Sequence, residues 1–309
     1  MLRFGFDHFG PADVFTAIDA PTPVPKPGQV LIDVLGFGLN PYDASLRRGE
    51  QADSRPLKFP IVPGTDVVGR VAALGEGVSD YAVDDRVLNY RPIGGYSEAV
   101  TASTGKIAKV PATLELAAAA GLPNIGIAAY TVMHQLLHLT PGQTLAVIGA
   151  SGGVGSLIVQ LAKAQGLFVI ATASARNVAA LRDLGADEVG AYDETDTGRL
   201  FADRADAVVN AVAGGVDHGA AVAIVKPGGV IVTTAWVDVD TTGKPTITHL
   251  QLGANRPAKA EDALPALLAL PQLRVRVAKT LPFTLAGVIQ GHELLETHHT
   301  AGKLVVLRH

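Results

Sequence analysis

The sequence predicts an α/β protein in which a doubly wound parallel sheet is joined to a smaller β-rich, barrel-like unit. Three observations predict this. From Thr144 onward, buried strands and amphipathic helices alternate at short pitch, as a parallel sheet with helices on both faces requires. Up to about Pro123, short strands are instead broken by Gly and Pro turn signals, the habit of a small barrel. The 309 residues, 48% of them apolar and only 17% charged, are too many for one ordinary core.

The elements follow in order. Residues 30–34 follow the turn Lys26-Pro27-Gly28, and residues 66–71 follow Val62-Pro63-Gly64; both read as strands. Residues 144–148 form a buried strand. Val154, Leu157, Ile158, Leu161 and Ala162 then recur at i, i+3, i+4, i+7 and i+8, the apolar stripe of one helix. The next strand covers residues 167–172, and a helix over 177–184 is stopped by Gly185 before a strand over 188–192. Strands over 207–210 and 230–234 flank a helix over 216–225. A helix over 260–269, a segment 274–280, a helix near 285–296 and a strand over 304–307 close the chain. That last stretch is too short for a domain of its own and is expected to complete the first unit. The division expected is 1–122, 123–255 and a return segment 256–309, with no internal repeat.

Composition excludes several functions. The net charge is −4 and no basic run occurs, and aromatic residues are only 5%, so nucleic acid is not an expected partner. With zero cysteines there is no disulfide, no thiolate metal site and no cysteine nucleophile. Asp7 and His8 interrupt any apolar signal core at the N-terminus. The richest apolar window, expected over 145–173, is broken by Gln160, Lys163 and Gln165, so no membrane span is expected. The expectation is a soluble, cytoplasmic protein.

The sharpest motif is Gly149-Ala150-Ser151-Gly152-Gly153-Val154-Gly155, set between the strand ending at Ile148 and the helix starting near Gly153. A dinucleotide needs small residues here, because the backbone must approach the pyrophosphate and the helix must pack tightly on the strand. Ala150, Gly152 and Gly155 take the three small-residue places. The helix N-terminus offers free N–H groups and a partial positive charge to the phosphates. An ordinary glycine turn is the alternative, but both flanks suit the dinucleotide fold, so the parallel sheet is read as a Rossmann domain.

NAD-binding folds place an acid about 20 residues beyond this loop, on the ribose hydroxyls. Here the second strand ends Ala171-Thr172-Ala173-Ser174-Ala175-Arg176, and no Asp or Glu occurs between Glu115 and Asp183. Ser174 and Arg176 can donate to a 2′-phosphate that a carboxylate would repel. A charge-assisted hydrogen bond of about 1.5–3 kcal/mol would favour NADPH over NADH by roughly one to two orders of magnitude. A solvated residue at a helix start is the alternative for Arg176.

Taken together the motifs resemble the medium-chain dehydrogenase/reductase superfamily, and within it the zinc-free quinone oxidoreductase (zeta-crystallin-like) branch. The resemblance runs through Gly38-Leu39-Asn40-Pro41-Tyr42-Asp43, Pro63-Gly64-Thr65-Asp66-Val67-Val68-Gly69-Arg70-Val71, Asp84-Asp85-Arg86-Val87, Gly94-Gly95-Tyr96-Ser97-Glu98, the phosphate loop and Gly302-Lys303-Leu304-Val305-Val306. It implies a GroES-like catalytic domain, a Rossmann domain binding NADP(H), a C-terminal return, and a homodimer, for which an edge strand over 246–252 is the expected contact. Zinc relatives carry Cys where Asn40 stands and His-Glu where Thr65-Asp66 stands, so no catalytic zinc is expected. A different metal site could sit at His134 and His138, i and i+4 on an expected helix, or at His298-His299; packed or surface histidines are the simpler reading.

The resemblance further implies that Asn40 and Asp43 face the nicotinamide, with Tyr42 nearby. Asn40 would hydrogen-bond a carbonyl oxygen, or alternatively cap the turn after Gly38; Asp43 would alternatively hold the loop. Asn210, Thr234, Ala235 and Trp236 stand where the family touches the nicotinamide half, Trp236 either stacking on an acceptor or packed in the core. Two departures from the family stand out: Ala128 replaces a Thr, and Ser45 a Tyr found in some quinone reductases. The implied activity is hydride transfer from NADPH to a quinone or another activated unsaturated carbonyl. Enoyl or alkenal reduction, or a non-catalytic NADPH-binding role, are the alternatives.

Overall fold

The computed structural model describes residues 1–53, 57–244, 246–297 and 300–308. Its contacts divide into two units: Met1–Asn124 with Lys259–Pro271 and Val277–His309, and Ile125–Ala258 with Gln272–Arg276.

The first unit begins with the antiparallel pair β1 (Leu2–Gly5) and β2 (Thr16–Asp19). Then come β3 (Gln29–Leu39), helix α1 (Pro41–Arg47), β4 (Asp66–Leu74), β5 (Arg86–Tyr90), β6 (Ala99–Ser103) and β7 (Ile107–Lys109). The apolar alternation of β3 puts Val30, Ile32 and Val34 on one face, all fully buried with Phe37 and Tyr96. Helix α2 (Leu116–Thr131) continues as a wider turn over Val132–Leu136. Among the described residues this stretch, rather than the 145–173 window, is the one long and apolar enough to cross a membrane by length and composition. About two-thirds of it, 67%, is buried inside the protein.

The second unit holds β8 (Thr144–Ile148), α3 (Gly153–Ala164), β9 (Phe168–Ala173), α4 (Val178–Asp183), β10 (Glu188–Ala191), α5 (Thr197–Leu200), β11 (Ala205–Asn210), α6 (Ala220–Ile224), β12 (Val225–Thr233) and β13 (Thr248–Gln251). The six strands lie in the order β10-β9-β8-β11-β12-β13, every pairing parallel. That is the 3-2-1-4-5-6 order of a Rossmann sheet, with its switch point between β8 and β11. Helix α6 is shorter than the expected 216–225. His218 and Gly219 are left-handed, and the Asp217 carboxylate takes the Gly219 and Ala221 N–H groups, so the helix starts only at Ala220.

The return segment supplies α7 (Ala260–Leu268), β14 (Val277–Pro282), α8 (Leu285–Glu296) and β15 (Lys303–Leu307) to the first unit. β15 pairs antiparallel with β3, placing Leu304 opposite Leu39. The terminal strand thereby brings Lys303 to the residue that precedes α1.

Candidate active site

In the second unit, the loop from β8 to α3 is shaped by close backbone approach. Gly149 has φ +73, and a Cβ on Gly155 would lie 2.5 Å from the Gly149 carbonyl oxygen and 2.8 Å from Ala150 Cα, so only glycine fits. A Cβ on Gly152 would meet only the Gly149 oxygen, at 3.4 Å, and otherwise open space. The start of α3 leaves the Gly153, Val154 and Gly155 N–H groups without intrahelical partners. This is a cradle of small residues around orphan donors, and it fits a dinucleotide pyrophosphate. The Ala150 N–H bonds the carbonyl of buried Thr172 at 3.1 Å, tying the loop to the end of β9.

Ser174, Arg176 and Asn177 follow β9. Arg176 is exposed, Ser174 is half-buried and its Oγ accepts from Asn177 Nδ2 at 2.9 Å. An acid does reach this place, from the neighbouring strand. The parallel register sets Ala191 beside Ala173, and two residues on Asp193 Oδ1 accepts the Ala175 N–H at 2.8 Å. The sequence window ending at Asp183 missed it, because the acid arrives by strand pairing.

Asn210 ends β11 and is buried, with its side chain fully committed. Nδ2 donates to the Gly215 carbonyl (2.8 Å) and to Asp217 (3.0 Å), while Oδ1 accepts the Val212 N–H (3.0 Å). Its carbonyl accepts from Thr234, both N–H and hydroxyl. Asn210 therefore shapes the loops at the switch point rather than offering a free amide. Thr234 and Ala235 are half-buried. Trp236 is 71% exposed, so the packed-core alternative does not hold. Its indole lies over Gly253, where a Cβ would sit 2.7 Å from Nε1.

In the first unit, Asn40 sits at the centre of a buried network. Lys303 Nζ donates to the Leu39 carbonyl (3.0 Å), Asn40 Oδ1 (2.6 Å) and Asp66 Oδ2 (3.0 Å), using all three of its hydrogens. An ammonium can only donate, so the Asn40 atom facing it is the oxygen and the amide nitrogen points the other way. There Nδ2 donates to Thr65 Oγ1 and to Asp66 Oδ2, both at 2.9 Å. Asn124 closes the ring, giving its N–H to Asp66 Oδ1 (2.6 Å) and its amide to Asn40 Oδ1 (3.1 Å). Every polar group of Asn40 is thus engaged, which corrects the expectation that its amide is held ready for a carbonyl oxygen. The open member is Thr65. Its hydroxyl accepts from Asn40, is half-buried, and has no acceptor for its own hydrogen among the described residues.

Asp43 is fully buried on the first turn of α1. It accepts the Asn40 N–H (2.9 Å), the Gly64 N–H (3.2 Å) and the Tyr96 hydroxyl (3.1 Å), which in turn meets His292 Nε2 at 3.2 Å. Burial, reinforced by the Asp66 charge, pushes its carboxyl up to about 7, and burial together with Arg47 and Arg48 holds His292 down to about 3. Asp43 is therefore a cap and loop clamp, the alternative the sequence left open, and not a group exposed to substrate. Tyr42 is 39% exposed on the same turn, with its carbonyl taken by Ser45.

Residues 26–139 match the alcohol dehydrogenase GroES-like domain family and residues 153–256 the zinc-binding dehydrogenase family. The chain is 35% identical to a chloroplast envelope quinone oxidoreductase homologue of Arabidopsis thaliana over 64% of its own length, spanning 63% of that relative. It is 32% identical to a chloroplastic NADPH-dependent alkenal/one oxidoreductase of the same plant, over 99% of the chain and 79% of the relative. A solved quinone oxidoreductase from Coxiella burnetii superposes with a TM-score of 0.88 at 31% identity, covering 99% of each chain. The chain belongs to the quinone oxidoreductase branch of the medium-chain dehydrogenase/reductase superfamily.

Asn40 and Thr65-Asp66 are the positions that the resemblance sets against zinc ligands, and here the Lys303 ammonium bonds two of the three. One carboxylate, one carboxamide and one hydroxyl beside a fixed cation do not fit a zinc ion. The histidine pair expected on one helix face is not on one: His134 stacks on Tyr130 at 4.2 Å within the wide turn, and His138 lies beyond its end, outside any helix. No group of three or more His, Cys, Asp or Glu able to hold a metal occurs among the described residues. His298 and His299 lie outside them.

Proposed function

We propose that this protein is a zinc-independent, NADPH-dependent reductase of quinones or other activated unsaturated carbonyls. The observation that carries the proposal is the cradle at 149–155, where Gly155 admits no side chain and Gly152 opens to space in front of three orphan N–H groups. When bound there, NADPH supplies a hydride from C4 of its nicotinamide. The names of the relatives support both acceptor classes: one is a quinone oxidoreductase homologue, the other an NADPH-dependent alkenal/one oxidoreductase. NADPH over NADH is supported by Ser174 and Arg176 after β9, and opposed in part by Asp193.

The chain's own contribution is position and polarity. Thr65 is the network's donor to an acceptor oxygen, because its hydroxyl accepts the Asn40 amide and its own hydrogen has no acceptor among the described residues. Asn40 acts through Thr65, with its amide orientation fixed by Lys303. No Lewis acid polarises the acceptor, so the chemistry suits carbons already made electron-poor by a quinone or enone, and disfavours oxidation of plain alcohols. A homodimer goes with this reading, since β13 ends its sheet with an edge that has no partner strand among the described residues and that a second copy could cover.

The test is stopped-flow oxidation of NADPH by the purified protein with a naphthoquinone and, separately, with hexenal. Turnover of the quinone at the higher rate assigns quinone reduction, and faster turnover of hexenal assigns alkenal reduction. Tight NADPH binding with no turnover of any acceptor would replace both with a binding role.

A further inference from the structure

The second unit contains a short segment from outside its own run of sequence. Residues 272–276 belong to it although the chain on either side belongs to the other unit. The segment is held as a strand partner would be: Gln160 on α3 gives its amide to the Arg274 carbonyl (2.9 Å) and accepts the Arg274 N–H (2.8 Å). Two residues on, Arg276 Nη2 donates to Asn177 Oδ1 at 2.9 Å, and Asn177 Nδ2 donates to Ser174 Oγ at 2.9 Å. Arg276, Asn177 and Ser174 thus form a directed line ending just after β9, where this sheet order places the adenosine ribose.

The direction of that line is fixed by chemistry. A guanidinium can only donate, so the Asn177 atom facing Arg276 is the oxygen and the nitrogen faces Ser174. Asn177 is only 6% exposed, so water does not compete to turn it. Ser174 Oγ therefore receives a hydrogen bond, and its own hydrogen has no acceptor among the described residues. A second, independent observation points to an anion. Arg276 Nη1 is shielded from solvent with no hydrogen-bond partner, and no ion pair among the described residues includes Arg276. A half-buried cation whose partner is a neutral amide carries an uncompensated charge, which a nearby phosphate would offset.

We infer that Arg276 is a positioning residue for the 2′-phosphate of NADPH: through Asn177 it turns the Ser174 hydroxyl outward as a phosphate donor, and it places positive charge behind that donor. The inference rests on the NADPH reading above. Arg276 also lies outside the stretch 153–256 that matches the dehydrogenase family, so a search of that stretch for the determinant of cofactor choice would not find it.

The experiment is calorimetric titration of the full-length protein with NADPH and with NADH, for the wild type and for Arg276→Met, Arg276→Lys and Asn177→Asp. Asn177→Asp keeps the pairing with Arg276 but takes the Ser174 hydrogen as an acceptor, and its shape is unchanged, so it guards against a folding defect in Arg276→Met. The wild type is expected to bind NADPH about 10–100-fold more tightly than NADH, and a lost charge-assisted donor to cut that ratio at least about fivefold in Arg276→Met and Asn177→Asp, with NADH affinity within about twofold. Arg276→Lys should recover part of the ratio. A wild type without preference would overturn the NADPH reading itself. A preference that persists in both variants, or a loss shared equally by the two cofactors, would overturn the role of Arg276 while leaving NADPH in place.

Discussion

Replacing Lys303 by Met removes the cation at the centre of the Asn40 network while keeping most of the side-chain volume. The structure gives the cost its form. Lys303 and Asp66 are 5% and 0% exposed, 3.0 Å apart, and the ammonium also holds the Leu39 carbonyl and Asn40 Oδ1. Without it, Asp66 stays buried as a charge facing only the Asn40 amide and the Asn124 N–H. Breaking a buried pair on one side costs about 3–5 kcal/mol, a large share of the roughly 5–15 kcal/mol that holds a domain folded. Urea unfolding followed by circular dichroism, at a slope of about 3 kcal/mol/M, would then show a midpoint lower by roughly 1–1.7 M. Hydrogen exchange should localise the loss to β3 and β15, which Lys303 joins. The double variant Lys303→Met with Asp66→Asn should recover at least about 2 kcal/mol relative to additivity, because no charge is left unpaired. A single variant within about 1 kcal/mol of wild type, or strict additivity, would refute the claim that this pair stands as the network's fixed charge.

Three further outcomes follow from the same geometry. Gly155→Ala places a methyl 2.5 Å from the Gly149 carbonyl oxygen, against backbone that cannot yield cheaply, and NADPH affinity measured by fluorescence titration should fall at least about tenfold. Asp193→Asn keeps an acceptor for the Ala175 N–H but removes a screened negative charge beside the 2′ position, so NADPH should bind about 2–5-fold more tightly and NADH almost unchanged. Asp43→Asn bears on the pH dependence of stability. The Asp43 carboxyl is raised from 3.8 to about 7 in the fold, so its contribution is full below about 4 and is lost as pH rises to about 7. His292 is lowered from 6.5 to about 3, so its contribution is lost as pH falls through that range. The two oppose each other in the wild type; thermal melts of the variant should gain stability between pH 4 and 6.5 more steeply, by at most about 4 kcal/mol.

What the sequence reveals and conceals follows from the range of the interactions involved. The strand at 144–148, the stripe from Val154 to Ala162 and the glycine loop between them are local patterns, and each lies where its periodicity puts it. The start of α6 lies later than the apolar run suggests, because Asp217 and the left-handed pair His218-Gly219 act against helix there. The Asn40 network was illegible for a different reason. Lys303 is 263 residues from Asn40, and the antiparallel register of β15 on β3 is what joins them. Asp193 is hidden in the same way, by a register between two strands, although the pairing of adjacent parallel strands would have exposed it once assumed. Residue type alone also overstated Asn40 and Asn210. The groups around both already occupy their amides, leaving Thr65 as the open donor.

Acceptor-dependent oxidation of NADPH by protein stripped of metal with a strong chelator addresses the whole account at once. With a naphthoquinone, turnover should persist after stripping, remain unchanged when zinc is restored, and fall in Thr65→Val more than in Thr65→Ser. Loss of turnover on stripping with recovery on adding zinc, or no oxidation of NADPH by any quinone or enone, would contradict it.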